Sequence, residues 1–317
     1  MTKSTLLIIL LVLLPTSGYA GENIDLTLEV ATDASINIED PHSRIEIVSW
    51  KKNAVKVVGE ISTRASDYTF EKSGNGAIFE VEYANGEALE RKLGLEQQSR
   101  LKFYVPVNSQ LEVSNINGEI KVREVAGGTN LETINAGISI EKLAGRISVE
   151  TINGNIDAKN NQGRISIETI NGKFNDQESS GELEISTVQG NVNISADYKL
   201  LEIEVVNGDL DLDLGKVDEL NIDSVNGKIR ASLALNPQGD VSVSNVNGQI
   251  ELLFDKKISA DFEIDSFVGG SIVNKLSDDK AEKQKFGPGR KLSFSVNGGS
   301  AEVEVNTVGG KIKLGHR

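Results

Sequence analysis

Between Leu111 and Phe254 one pattern recurs: LEVSNINGEIKV, TNLETINAGISI, ISVETINGNIDA, ISIETINGKFND, LEISTVQGNVNI, LEIEVVNGDLDL, LNIDSVNGKIRA and VSVSNVNGQIEL. The residue opening each turn is Asn117, Asn135, Asn153, Asn171, Gln189, Asn207, Asn226 and Asn247, at spacings of 18, 18, 18, 18, 18, 19 and 21. A fixed period of this size marks a solenoid, in which each repeat is one rung stacked on the next. A lone rung buries too little aliphatic surface to offset the entropy of ordering itself, so neighbours must complete its core. The pattern predicts an all-β chain: a parallel β-solenoid, β-helix-like, with rungs of about 18–21 residues and β-rich caps at both ends.

Four aliphatic columns are read as inward. The first is Leu111, Ile147, Ile165, Leu183, Leu201, Leu220 and Val241; the second is Val113, Leu131, Val149, Ile167, Ile185, Ile203, Ile222 and Val243. The third, just before the Asn corner, is Ile116, Ile134, Ile152, Ile170, Val188, Val206, Val225 and Val246. The fourth, after it, is Ile120, Ile138, Ile156, Phe174, Val192, Leu210, Ile229 and Ile250. A second corner recurs at Gly127, Gly145, Gly163 and Gly181.

The flanks divide the rest. Residues 1–20, MTKSTLLIILLVLLPTSGYA, place Lys3 before an apolar run and small residues at Gly18 and Ala20, the layout of a signal peptide cleaved near Ala20. The apolar run is roughly half the length a spanning helix needs, so no stable membrane span is expected. Residues 21–105 alternate with period 2 and read as an N-terminal β cap, with a hairpin from Tyr68 to Tyr83 around Ser73-Gly74-Asn75-Gly76. Residues 84–100 are polar, either a loop or one short helix. The repeat array is taken as 106–254. Residues 255–317 supply C-terminal rungs and a closing cap, with a hairpin around Asn297-Gly298-Gly299 and a charged, mobile surface loop at 275–290.

A formal net charge of -14 disfavours nucleic acid and anionic lipid headgroups as partners. The chain has no Cys, so neither disulfides nor a lipidated cysteine after the leader is available. The expected location is the periplasm, or secreted at the cell surface.

Most recurring polar residues have structural explanations. Asn and Gly tolerate the left-handed backbone of tight corners, and stacked Asn amides can bond one another as a ladder. A hydroxyl column, Thr133, Thr151, Thr169, Thr187, Ser224 and Ser266 with Asn115 and Asn245 in register, reads as a β-branched ladder satisfying turn hydrogen bonds. An acidic column, Glu132, Glu150, Glu168, Glu204, Asp223 and Asp265, stacks like charges that Arg146 and Arg164 could offset. Asp209, Asp211 and Asp213 alternate on one outward face and are the sharpest candidate for calcium, without a calcium-roll motif. His occurs twice, at His42 and His316, and no nucleophile elbow, phosphate loop or zinc-protease motif is present. No catalytic, cofactor or metal residue is assigned.

The run LKFYVPVNSQLEVSNINGEIKV, Leu101 to Val122, with DPHSRIEIVSWKKNAVKVVGEI, Asp40 to Ile61, resembles the bacterial putative-adhesin β-strand-repeat family, a domain of unknown function. The resemblance covers nearly all of the chain after the leader and implies a β-solenoid of the cell envelope with an adhesive role; it carries no catalytic residues. The long insertion at Lys275 to Arg290 departs from it. The expected function is an exported, non-enzymatic, adhesin-like binding or scaffolding module whose partner is an unidentified envelope protein or glycan. The alternatives are a polysaccharide-active β-helix enzyme and a calcium-dependent structural protein. The regions expected to carry function are the acidic face at Asp209 to Asp213 and the loop from Lys275 to Arg290.

Overall fold

A computed structural model of the chain describes residues 21–84, 98–285 and 287–317. The leader and most of the polar stretch at 84–100 lie outside the described residues. Within them the chain is all-β, with no helix. It opens with β1 (Asn23–Glu29), β2 (Ser35–Glu39), β3 (His42–Trp50), β4 (Ala54–Glu60), β5 (Ala65–Ser73), β6 (Gly76–Tyr83) and β7 (Ser99–Pro106). The array follows as β8 (Gln110–Arg123), β9 (Thr129–Glu141), β10 (Ala144–Asn153), β11 (Ile156–Lys159), β12 (Gln162–Asn171), β13 (Phe174–Gln189), β14 (Val192–Asn207) and β15 (Leu210–Phe254). The chain closes with β16 (Ala260–Ser266), β17 (Ser271–Asn274), β18 (Glu282–Lys283), β19 (Arg290–Val296) and β20 (Ala301–His316).

Successive repeats pair in parallel and in register, Ile147 on Ile165, Ile165 on Leu183 and Leu183 on Leu201. A rung consists of a long segment, such as β10 or β12, and a short one, such as β11, joined at the Asn-Gly corner. The first, second and fourth aliphatic columns are buried between these two faces.

The third column is not. Ile116 and Ile134 are half-buried, and Ile152, Ile170, Val188, Val206, Val225 and Val246 are 39–45% exposed. Strand alternation is the reason: Ile167 points in, Glu168 out, Thr169 in and Ile170 out, so an aliphatic three places after another lands on the opposite face. The inward position belongs to the hydroxyl column, where Thr133, Thr151, Thr169 and Thr187 are buried.

The Asn ladder forms in two runs. Asn135 Nδ2 donates to Asn117 Oδ1 at 3.1 Å, Asn153 to Asn135 at 2.9 Å and Asn171 to Asn153 at 3.0 Å. Beyond Gln189 it resumes, with Asn226 donating to Asn207 at 3.0 Å and Asn247 to Asn226 at 3.5 Å. The corner glycines serve the expected purpose only in part. Gly154, Gly172, Gly190 and Gly208 do not have positive φ. A Cβ at Gly172 would lie 1.9 Å from the Gly154 carbonyl oxygen, and one at Gly190 1.7 Å from that of Gly172. Glycine is needed there because one rung's backbone rests directly on the next. Positive φ occurs at the same corner in Gly118, Gly227 and Gly248, at 152°, 146° and 148°, and left-handed backbone recurs at the other corner, at Glu124, Lys142, Asn160 and Glu178, with φ of 62°, 54°, 55° and 60°.

Both ends are closed by chain that leaves the stack and returns. The β2–β3 segment pairs in parallel with β8, Ile36 on Leu111 and Ile45 on Ile120, although more than 70 residues separate them. On its other side β2 meets β6 and β3 meets β7, again in parallel. The β5–β6 hairpin forms, with Ser73 opposite Gly76. At the far end β20 inserts between β15 and β16, with Val241 on Val303 and Phe262 also on Val303. The expected hairpin at Asn297-Gly298-Gly299 is therefore absent: β19 pairs antiparallel with β16, Phe262 opposite Phe294, and β16 separates it from β20. Within 275–290, β18 folds back on β19, and Asn274 Oδ1 accepts from Leu276 N at 2.9 Å. Leu276 and Ala281 pack, partly buried, against the core.

Candidate functional site

Because Glu and Ile flank an inward Thr at Thr133, Thr151 and Thr169, the alternation builds two parallel outward columns there. Glu132, Glu150 and Glu168 form an acidic row, while Ile134, Ile152 and Ile170 form an aliphatic ridge beside it. Together they line a groove of about 520 Å³. It continues past Ser186 and Val188 into a second stretch of about 470 Å³, bounded by Glu204 and Asp223 on one side and Val206, Val225, Val246 and Val308 on the other, with Phe267 at the far end. At roughly 4.8 Å per rung the groove runs about 45 Å along the stack. Singly scattered exposed aliphatic residues are the norm on a protein surface; here they form a continuous strip along the stack.

The acidic row is electrostatically uncompensated. Among the described residues Glu132, Glu150, Glu168, Glu204 and Asp223 make no ion pair. Arg164 does not offset them; its guanidinium pairs with Glu182 at 2.6 Å on the next rung. Like charges stacked about 4.8 Å apart repel by roughly 1 kcal/mol per pair at water-like dielectric. Only at the end of the row does a cation arrive, where Lys291 Nζ lies 3.4 Å from Asp265.

Beneath the groove lies an unusual seam. The hydroxyls of Thr133, Thr151, Thr169, Thr187, Ser224, Ser266 and Thr307 are buried and have no hydrogen-bond partner in the protein, and the same holds for Asn115 Oδ1 and Asp40 Oδ2. The ladder of turn hydrogen bonds expected of this column does not form. It provides a rigid β-branched floor.

Two buried acids were invisible as sites in the sequence. Asp176 occupies the inward column of Ile140, Ala158 and Ile194, and accepts from Tyr198 Oη at 2.7 Å and Ser179 Oγ at 2.6 Å. Burial raises its pKa above the usual carboxylate range. A carboxylate at an aliphatic register position was the signal available. Near the N-terminal end Asp40 is fully buried and accepts from His42 N at 3.0 Å and Tyr83 Oη at 3.1 Å. Burial pushes it up to about 6, against the lowering effect of Ser99, His42 and Tyr83. His42 is itself buried, its ring edge-on to Tyr83 at 5.1 Å. The carboxyls of both networks are buried, and Tyr83 is half-buried over Asp40.

Asp209, Asp211 and Asp213 are exposed, with Asp209 in the turn before β15 and the other two at alternate positions on it. Asp209 accepts from Lys228 N at 2.8 Å. Among the described residues no three acidic or histidine side chains converge as a metal site, and no helix is long and apolar enough to cross a membrane. His316 lies at the end of β20, paired with Phe254 in the ladder.

The chain is similar to three solved bacterial structures. A putative cell adhesion protein from Clostridium sporogenes ATCC 15579 is 11% identical, with 93% of this chain and 100% of that one covered and a TM-score of 0.24. A putative adhesin from Parabacteroides distasonis ATCC 8503 is 10% identical over 93% and 97%, with a TM-score of 0.40. A putative lipid binding protein from the same organism is 11% identical over 92% and 97%, with a TM-score of 0.35. No curated protein sequence matches. The family model described as Toastrack DUF4097 matches residues 33–315, from just before β2 into the last residues of β20, so the chain belongs to the Toastrack DUF4097 family, a domain of unknown function.

Proposed function

We propose that this protein is an exported, non-enzymatic, adhesin-like binding or scaffolding module of the bacterial cell envelope, and that it engages its partner along the groove. One observation carries the reading: six aliphatic side chains at successive rungs, Ile152 to Val246, stand 39–45% exposed where alternation leaves every neighbouring outward column polar. Stacking does not require them, since the inward columns already complete the core. The leader pattern at 1–20 supports export, and the resemblance read from the sequence supports an envelope role.

The test uses the full chain and its triple variant Ile152→Ser/Ile170→Ser/Val188→Ser on bacterial envelope fractions. The variant should be retained at least tenfold less with its melting temperature preserved. Equal retention of the two proteins would remove the groove as the contact surface.

A further inference from the structure

If the groove is the contact surface, as proposed above, its two walls define what fits it. Glu168 and Ile170 stand two residues apart on one strand face, about 6.7 Å, so a charged row and an apolar row run side by side. A second copy of the chain would bring carboxylates against carboxylates. Nucleic acid and anionic bilayers carry the wrong sign. A neutral glycan leaves the acidic row unanswered. A polypeptide presenting cations on one edge and aliphatic side chains on the other satisfies both.

Periodicity then selects the conformation. Rungs recur about every 4.8 Å, whereas same-face residues of an extended strand recur about every 6.8 Å, out of step by about 2 Å per rung. Turns of an α-helix recur every 5.4 Å or so, a drift of about 0.6 Å per rung. A helix can set one cation and one aliphatic residue against each of several successive rungs before losing register.

We infer that the groove receives a basic amphipathic α-helix of a partner protein, its Lys or Arg row on Glu132, Glu150 and Glu168 and its aliphatic row on Ile152, Ile170 and Val188. The binding mode is helix-in-groove recognition with electrostatic steering.

The probe is a fluorescent 18-residue Lys/Leu amphipathic helical peptide titrated onto the full chain. Controls are a scrambled peptide of the same composition and a Glu/Leu counterpart. The Lys/Leu peptide should bind at least tenfold more tightly than either control and weaken at least tenfold between low and high salt. Glu132→Gln/Glu150→Gln/Glu168→Gln and the triple Ser variant should each weaken it at least tenfold without lowering the melting temperature. Equal binding of the scrambled peptide, or full binding by the Gln variant, would overturn the proposal. So would self-association of the wild type that the Ser variant abolishes, which would assign the groove to a second copy. Envelope retention that depends on the ridge while the Lys/Leu peptide fails to bind would sink the helix and leave the surface standing.

Discussion

Thr187 and Val205 are register partners on adjacent rungs, both pointing inward and both almost fully buried, at 3% and 2% exposure. The Thr187 hydroxyl has no partner. The chain has thus placed the near-isosteric apolar residue in the same column one rung on, without disturbing the ladder. A buried donor left unmade costs about 1–3 kcal/mol. Thr187→Val should therefore raise stability by about 1 kcal/mol, which for a chain of this size is roughly 2–4 °C in melting temperature. A fall in melting temperature would show that the hydroxyl is satisfied in solution.

Rung contact at the Asn-Gly corner is backbone on backbone, so Gly172→Ala should be among the most damaging small substitutions. Its Cβ would sit 1.9 Å from the Gly154 oxygen. Overpacking of this kind costs about 3 kcal/mol. Gly137, where an added Cβ meets nothing within 4 Å, is the control. Gly137→Ala should shift stability by less than about 0.5 kcal/mol. Denaturant melts of the pair check both, and equal effects would contradict the close-approach explanation.

Asn153 sits mid-ladder, donating to Asn135 and accepting from Asn171. Asn153→Ala removes both bonds and should cost about 1–2 kcal/mol. Unchanged melting would mean the ladder is ornamental.

Asp40 ties stability to pH. Its carboxyl titrates near 6 when folded and 3.8 when unfolded, because burial penalises the anion. The folded state therefore holds this proton more tightly, and its contribution is present below about pH 4 and lost as pH rises to about 6. The loss is roughly 3 kcal/mol. Asp40→Asn should remove that decline, seen as a stability difference from wild type that changes across this window. A constant difference would place the folded pKa near its ordinary value.

Much of this architecture is legible in the sequence because period and alternation are explicit there. The inward columns through Val149, Ile167 and Ile156 and the Asn ladder follow from spacing alone. The ridge at Ile152 and Ile170 looks inward by hydrophobicity, but strand phase decides: counting two places from Glu150 or Glu168 puts both outside. The end rungs were hidden for another reason. Ile36 meets Leu111 and Val241 meets Val303 across more than 60 residues, pairings that no local repeat announces. Among the described residues, neither Asp209 to Asp213 nor the segment from Lys275 to Lys285 forms the continuous surface that the ridge does.

The outward orientation of Ile152 is the point on which the proposed binding groove depends. The chain lacks cysteine, so single cysteines can be read without background. In the folded protein Ile152→Cys and Ile170→Cys should react with a maleimide at rates within about tenfold of a free thiol, with Val149→Cys and Ile167→Cys protected until unfolding. Protection of Ile152→Cys equal to that of Val149→Cys would return the ridge to the core and remove the groove.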